Sequence, residues 1–119
     1  MMNEFTSIFG RTYQFPPFEL VEFFKPLEWD EFLRDLRKVE RECGQNKNDR
    51  VTVLAAMCID KKIDTMGLII RVLGLLGYDR GHVAIIVKKW NGRHPDRHLW
   101  FVDGAGKYHS LPNTIFAAA

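Results

Sequence analysis

Residues 72–90, VLGLLGYDRGHVAIIVKKW, read as two helices around a glycine turn, and no other stretch constrains the fold of this chain as much. Val72, Leu73 and Leu76 recur at spacings of one, three and four, which puts them on one side of a 3.6-residue repeat. Gly77 ends that helix, because glycine enters the left-handed backbone without a steric penalty. Asp79 comes next, with a side chain suited to cap a second helix. Val83, Ile86, Val87 and Trp90 then stand at i, i+3, i+4 and i+7, one continuous apolar stripe. A polar loop at residues 91–97 leads into HLWFVDGAGKYHSLP. There, residues 99–102 and 107–111 read as two short strands around the turn Asp103-Gly104-Ala105-Gly106.

Upstream, residues 1–14 carry no firm pattern. Phe15-Pro16-Pro17-Phe18 predicts an extended entry, since proline restricts both itself and its predecessor, with a short helix at 18–24 stopped by Lys25-Pro26. Residues 27–42 predict a strong helix: Trp29, Phe32, Leu33, Leu36, Val39 and Cys43 keep helical spacing, while Asp30, Glu31, Arg34, Asp35, Arg37 and Lys38 fill the other face. Gly44 is its stop, residues 45–48 are a loop and Asp49 caps the next segment. The run VTVLAAMCI in that segment suits a buried strand or a buried helix. Val51, Leu54, Ala55 and Cys58 at helical spacing, with the length of the run, favour a helix over residues 50–61. Residues 63–77 supply another helix, capped by Asp64 or Thr65, with Ile69, Val72, Leu73 and Leu76 buried.

A helix turning sharply through glycine into a second helix is a common way to present side chains to the DNA major groove. Leu76-Gly77-Tyr78-Asp79-Arg80-Gly81-His82-Val83 resembles the helix-turn-helix pattern, and the hairpin after it resembles the wing of the winged-helix family. The resemblance covers residues 49–112, about half the chain. It implies a mainly α fold: a three-helix core plus a C-terminal β-hairpin wing, preceded by an N-terminal helical extension at 15–44, all within one domain of residues 1–119. It further implies a transcriptional regulator or accessory factor that binds double-stranded DNA and is not an enzyme. The exposed residues that open the second helix correspond to Asp79, Arg80, Gly81, His82, Ala84, Ile85 and Lys88. Arg80 matches the guanine acceptors with its planar fork, and His82 offers a donor or acceptor beside it. Lys88, Lys89, Arg93, Arg97 and Lys107 are the expected phosphate contacts. Ala84 and Ile85 depart from the polar side chains expected on such a face.

Charge agrees with this division. Residues 1–49 hold ten acids and seven bases, a balance of −3, residues 50–70 balance at +1, and residues 71–119 hold seven bases and three acids, +4. A basic half is the electrostatic footprint of phosphate contact. With 119 residues, nearly half of them apolar, one domain can bury a core without staples. No apolar run approaches the roughly 18–20 residues of a membrane span, and the first residues lack a basic flank and apolar core, so a cytoplasmic chain is expected.

Two other readings stay open. The winged helix can serve as a docking or dimerisation module, and the stripe along residues 29–39 offers a face for a homodimer or another protein. Alternatively, residues 83–87 form a strand, their β-branched composition suiting one, in an α+β fold that pairs them with residues 99–102. Cys58 on a helix and Gly81-His82-Val83 on a strand then stand in the order of a cysteine hydrolase, with Asp103 or His109 orienting the His82 imidazole. Cys43 and Cys58 lack metal or C-x-x-C spacing, and their default is small buried apolar side chains. His94, Asp96 and His98 fall in a proline-containing loop with no further ligand nearby, so neither metal nor cofactor is expected.

Overall fold

The turn between the two predicted helices forms because backbone N–H groups just past the end of the first find partners on it. In the structure, a computed structural model that describes residues 4–6, 12–14, 26–94 and 96–111, helix α3 spans Met66–Leu75 and α4 spans Arg80–Lys89. Gly77 takes φ +97°, its N–H reaches the Gly74 carbonyl at 3.0 Å, and the Tyr78 N–H reaches the Leu73 carbonyl at 3.1 Å. Those two bonds are the Schellman pattern that closes a helix end. Asp79 then accepts the His82 N–H at 3.0 Å and starts α4. Residues 83–87 are therefore helical, and the strand assignment falls despite their β-branched content: a cap at one end and an apolar stripe at helical spacing outweigh local propensity.

The chain divides into two compact units, Met1–Lys38 and Val39–Ala119, the division falling inside α1, Pro26–Glu42. The first unit contains an antiparallel pair, β1 at Glu4–Thr6 and β2 at Thr12–Gln14, with Phe5 opposite Tyr13. Three-residue strands are too short for an alternating pattern to register, which is why residues 1–14 look featureless in sequence. In α1, Trp29, Phe32, Leu33 and Leu36 are buried, as their spacing predicts, with the Trp29 and Phe32 rings 6.2 Å apart. The dimer face expected along residues 29–39 thus has its large apolar side chains already buried. The extended entry at 15–18 and the short helix at 18–24 lie outside the described residues.

In the second unit, Gly44 at φ +79° ends α1 and α2 runs Lys47–Asp60. Its cap is Asn46, whose side chain accepts the Asp49 N–H at 3.1 Å, so the helix begins before the predicted Asp49 cap. Asn and Asp serve equally well as caps, and the sequence offered both. Thr65 caps α3 by accepting the Leu68 N–H at 3.3 Å. Helices α2, α3 and α4 pack on one another through Val51, Leu54, Cys58, Ile69, Val72, Leu73, Val83, Ile86 and Val87, all buried. Leu76, expected in this core, is half-buried at the α3 cap.

A second antiparallel pair, β3 at Trp100–Val102 and β4 at Tyr108–Ser110, completes the unit, with β4 against α2. Several hydrogen bonds fasten it, at least one from each strand. The Tyr108 N–H donates to the Asp64 carbonyl at 2.6 Å beside a Thr65–Lys107 bridge. Trp100, 1% exposed, donates its indole N–H to the Val87 carbonyl at 2.9 Å. The Asn91 N–H turns instead to the Lys88 carbonyl, so the indole serves a carbonyl at the helix end that the chain itself leaves open.

Replacing Trp100 by Phe keeps an aromatic ring but leaves that buried carbonyl without its indole donor. It should cost about 1–3 kcal/mol, read as a lower urea midpoint at constant slope. Gly77→Ala forces a side chain into positive φ and should cost about 1–2 kcal/mol by the same measurement. An unchanged midpoint in either variant contradicts the role given to that residue.

Candidate nucleic-acid interface

Helix α4 buries Val83, Ile86 and Val87, and helical geometry then fixes the side chains that face outward. Gly81, Ile85 and Lys88, at i, i+4 and i+7, form the opposite row and are all exposed, with Ala84 half-buried at its margin. Arg80 is the first residue of the helix and exposed. It stands to one side of that row, lining an open groove of about 430 Å³ with Gly67, Ile70, Arg71, Gly74 and Leu75 of α3. Sequence reasoning missed this groove. Its available signal was Gly67 and Gly74 seven residues apart on one side of α3, where a Cβ would meet nothing within 4 Å.

His82 is placed differently from its expected role beside Arg80. Its Nε2 is buried and has no hydrogen-bond partner, so this edge of the imidazole is turned away from solvent. Lys88 and Lys89 occupy the last turn, where cations complement the negative end of the helix dipole, and Lys89 Nζ lies 5.1 Å from the Trp90 ring centre.

The loop after α4 and the hairpin carry the remaining cations. The Arg93 guanidinium lies 4.4 Å from the centre of the Phe101 ring, and His109 stacks on Phe101 from the paired strand at 5.1 Å and 27°. This stack also escaped sequence reasoning, because a cross-strand pair shows only once the register is known. Arg97 is exposed in a loop closed by the His94 N–H, which donates to His98 Nδ1 at 3.1 Å. Lys107 is exposed at the end of the hairpin turn.

Asp103 organises that turn. One carboxylate oxygen accepts the Ala105 and Lys107 N–H groups at 2.8 and 3.0 Å, and the other lies 2.7 Å from His109 Nε2. The His109 contact and then the backbone donors hold its carboxyl down at about 2, against an ordinary 3.8. Gly106 at φ +81° closes the loop, the geometry of a hairpin with a bulged glycine. Elsewhere in the unit, Tyr78 donates to Glu40 at 2.5 Å. Burial, and then that bond, push its phenol up to about 12.

The residues of the hydrolase reading do not assemble its chemistry. Cys58 is fully buried, and burial pushes its thiol up, away from the thiolate that a nucleophile needs. The strand that would carry His82 is a helix. Among the described residues no three His, Cys, Asp or Glu side chains gather as a metal site, and no helix is long and apolar enough to cross a membrane. No protein-family model matches the chain, and no curated protein or solved structure matches it either.

A carboxyl held low in the folded chain stabilises it above the unfolded value and ceases to as pH falls through the folded one. Asp103 should therefore support the hairpin fully above about 4 and cease to do so as pH falls from about 4 to 2. The amide signals of Ala105 and Lys107 should track that change, and Asp103→Asn should abolish it. An acid response that survives in Asp103→Asn assigns it to another group.

Proposed function

We propose that the second unit is a winged helix that binds duplex DNA, with α4 entering the major groove and the β3–β4 hairpin as the wing, and that the chain acts as a regulatory or accessory factor rather than a catalyst. The observation that carries this reading is the exposure of one set of cations. Arg80, Lys88, Lys89, Arg93, Arg97 and Lys107 are all exposed, and they lie on α4, the loop after it and the hairpin, within residues 71–119, which balance at +4. The four helices and antiparallel hairpin among the described residues are compatible with that layout. Lys88, Lys89, Arg93, Arg97 and Lys107 hold phosphates, and Arg80 reads a base edge or adjoining phosphate from the first turn of α4. His82 contributes through the edge of its ring away from the buried Nε2, positioning the helix start more than reading sequence.

Binding to a mixed-sequence duplex should fall steeply with salt, because each phosphate contact releases condensed counterions. Five contacts predict a loss of roughly 10²–10³-fold between about 50 and 200 mM salt. Lys88→Ala and Lys107→Ala should each flatten the log–log slope by about 1. Absence of any duplex complex at about 50 mM salt refutes the reading.

A further inference from the structure

Ile85 is 65% exposed, the one large apolar side chain so exposed among the described residues. A lone apolar group on a surface is ordinary. The position of this one is not. It is central in the outward row of α4, between Gly81 and Lys88, on the face where the duplex reading needs its base contacts. Helix formation does not call for it, since a β-branched residue serves an exposed helical position less well than Ala, Lys or Glu. Core packing does not call for it either.

Its neighbours define the partner that fits against it. Gly81 presents bare backbone: a Cβ there would meet the Asp79 carboxylate at 3.1 Å, so that capping carboxylate is what flanks Ile85 at the N-terminal end of the row, its charge opposed by Arg80 beside it in sequence. Lys88 and Lys89 stand at the C-terminal end, with Arg80 at the start of the helix. A complementary partner is therefore anionic along its rims and apolar at one point between them. The duplex major groove has that form, with phosphates on both edges and the C5-methyl group of a pyrimidine as the apolar feature of its floor.

We infer that Ile85 is a specificity-determining residue that packs on a pyrimidine C5-methyl group in the major groove, an inference that rests on the duplex-binding reading above. Two bases supply such a methyl, thymine and 5-methylcytosine, and neither changes the phosphates or the pairing. Burying one methyl against the side chain favours the methylated duplex roughly fourfold per contact.

The test uses the whole chain with short duplexes at about 50 mM salt: alternating dA·dT, its deoxyuridine counterpart, alternating dG·dC, and its 5-methylcytosine counterpart. The expected result is tighter binding to one or both methylated duplexes than to their unmethylated partners. The member showing the gain identifies the base. Ile85→Ala should remove the gain, so that each methylated duplex binds no more tightly than its unmethylated partner, and Ile85→Leu should keep most of it. Both substitutions fall on an exposed position, and helical circular dichroism verifies the fold. Equal binding of methylated and unmethylated duplexes overturns the inference and leaves the duplex reading standing. So does a methyl preference that persists in Ile85→Ala, or a shift in oligomeric state on that substitution with the preference unchanged, which assigns Ile85 to a contact between chains. Failure to bind any of the four duplexes overturns both.

Discussion

The indole of Trp100 joins parts of the second unit that neither helical nor strand pairing would connect. Hydrogen bonds within α4 stop at its last turn, and the backbone bonds that bring β3 to that end run to residues just past the helix, the Leu99 N–H to the Trp90 carbonyl at 3.0 Å and the Gly92 N–H to the Trp100 carbonyl at 2.9 Å. The buried N–H that Trp100 gives to Val87 reaches into α4 itself, and the ring fills space beneath the helix end. A buried donor and acceptor that satisfy each other gain little relative to water, but separating them exposes both to an apolar interior, so the pairing is enforced more by its alternative than by its strength. Because the hairpin is fixed at α4 by Trp100 and beside α3 by Asp64 and Thr65, the loop at residues 90–99 has both ends anchored. Arg93 and Arg97 therefore occupy defined places relative to α4.

Legibility from sequence tracked the range of the interactions. The α3–α4 turn was readable to the residue because Gly77 and Asp79 act within a few positions of themselves. Helix α1 was readable because Trp29, Phe32, Leu33 and Leu36 repeat the period of the helix. The start of α2 was misplaced, since Asn46 and Asp49 are competing caps and only the backbone geometry selects one. The β1–β2 pair was invisible because three residues carry no period. Residues 83–87 show competition between scales: their composition suits a strand, while their spacing and the Asp79 cap suit a helix, and the buried row formed by Val83, Ile86 and Val87 decides it.

The candidate site divides in the same way. The cations could be collected from sequence because charge is a property of residue type, and their exposure agrees with that collection. The contacts of each one could not be collected, because they depend on register. Phe101 faces His109 only through the β3–β4 pairing, and Arg93 reaches that stack only because the loop returns beside it. The buried Nε2 of His82 is a further case. A histidine in the first turn of a helix reads as a surface donor until its angular distance from the core row is known.

Those attachments bear on how the proposed interface would work. A lysine in water loses rotamer freedom when it meets a phosphate, a cost of up to about 2 kcal/mol that offsets part of the contact. Lys88 bears it in full, projecting from the outward row of α4. Arg93 bears less, because its guanidinium already lies over the Phe101 ring, 4.4 Å from its centre. His109 and Asp103 hold that platform from the other side of the hairpin. The loop and hairpin thus offer a pre-ordered cation, and α4 offers adaptable ones around the fixed apolar point of Ile85. In the proposed complex, the hairpin side sets where the backbone lies, and the helix adjusts to the bases it meets there.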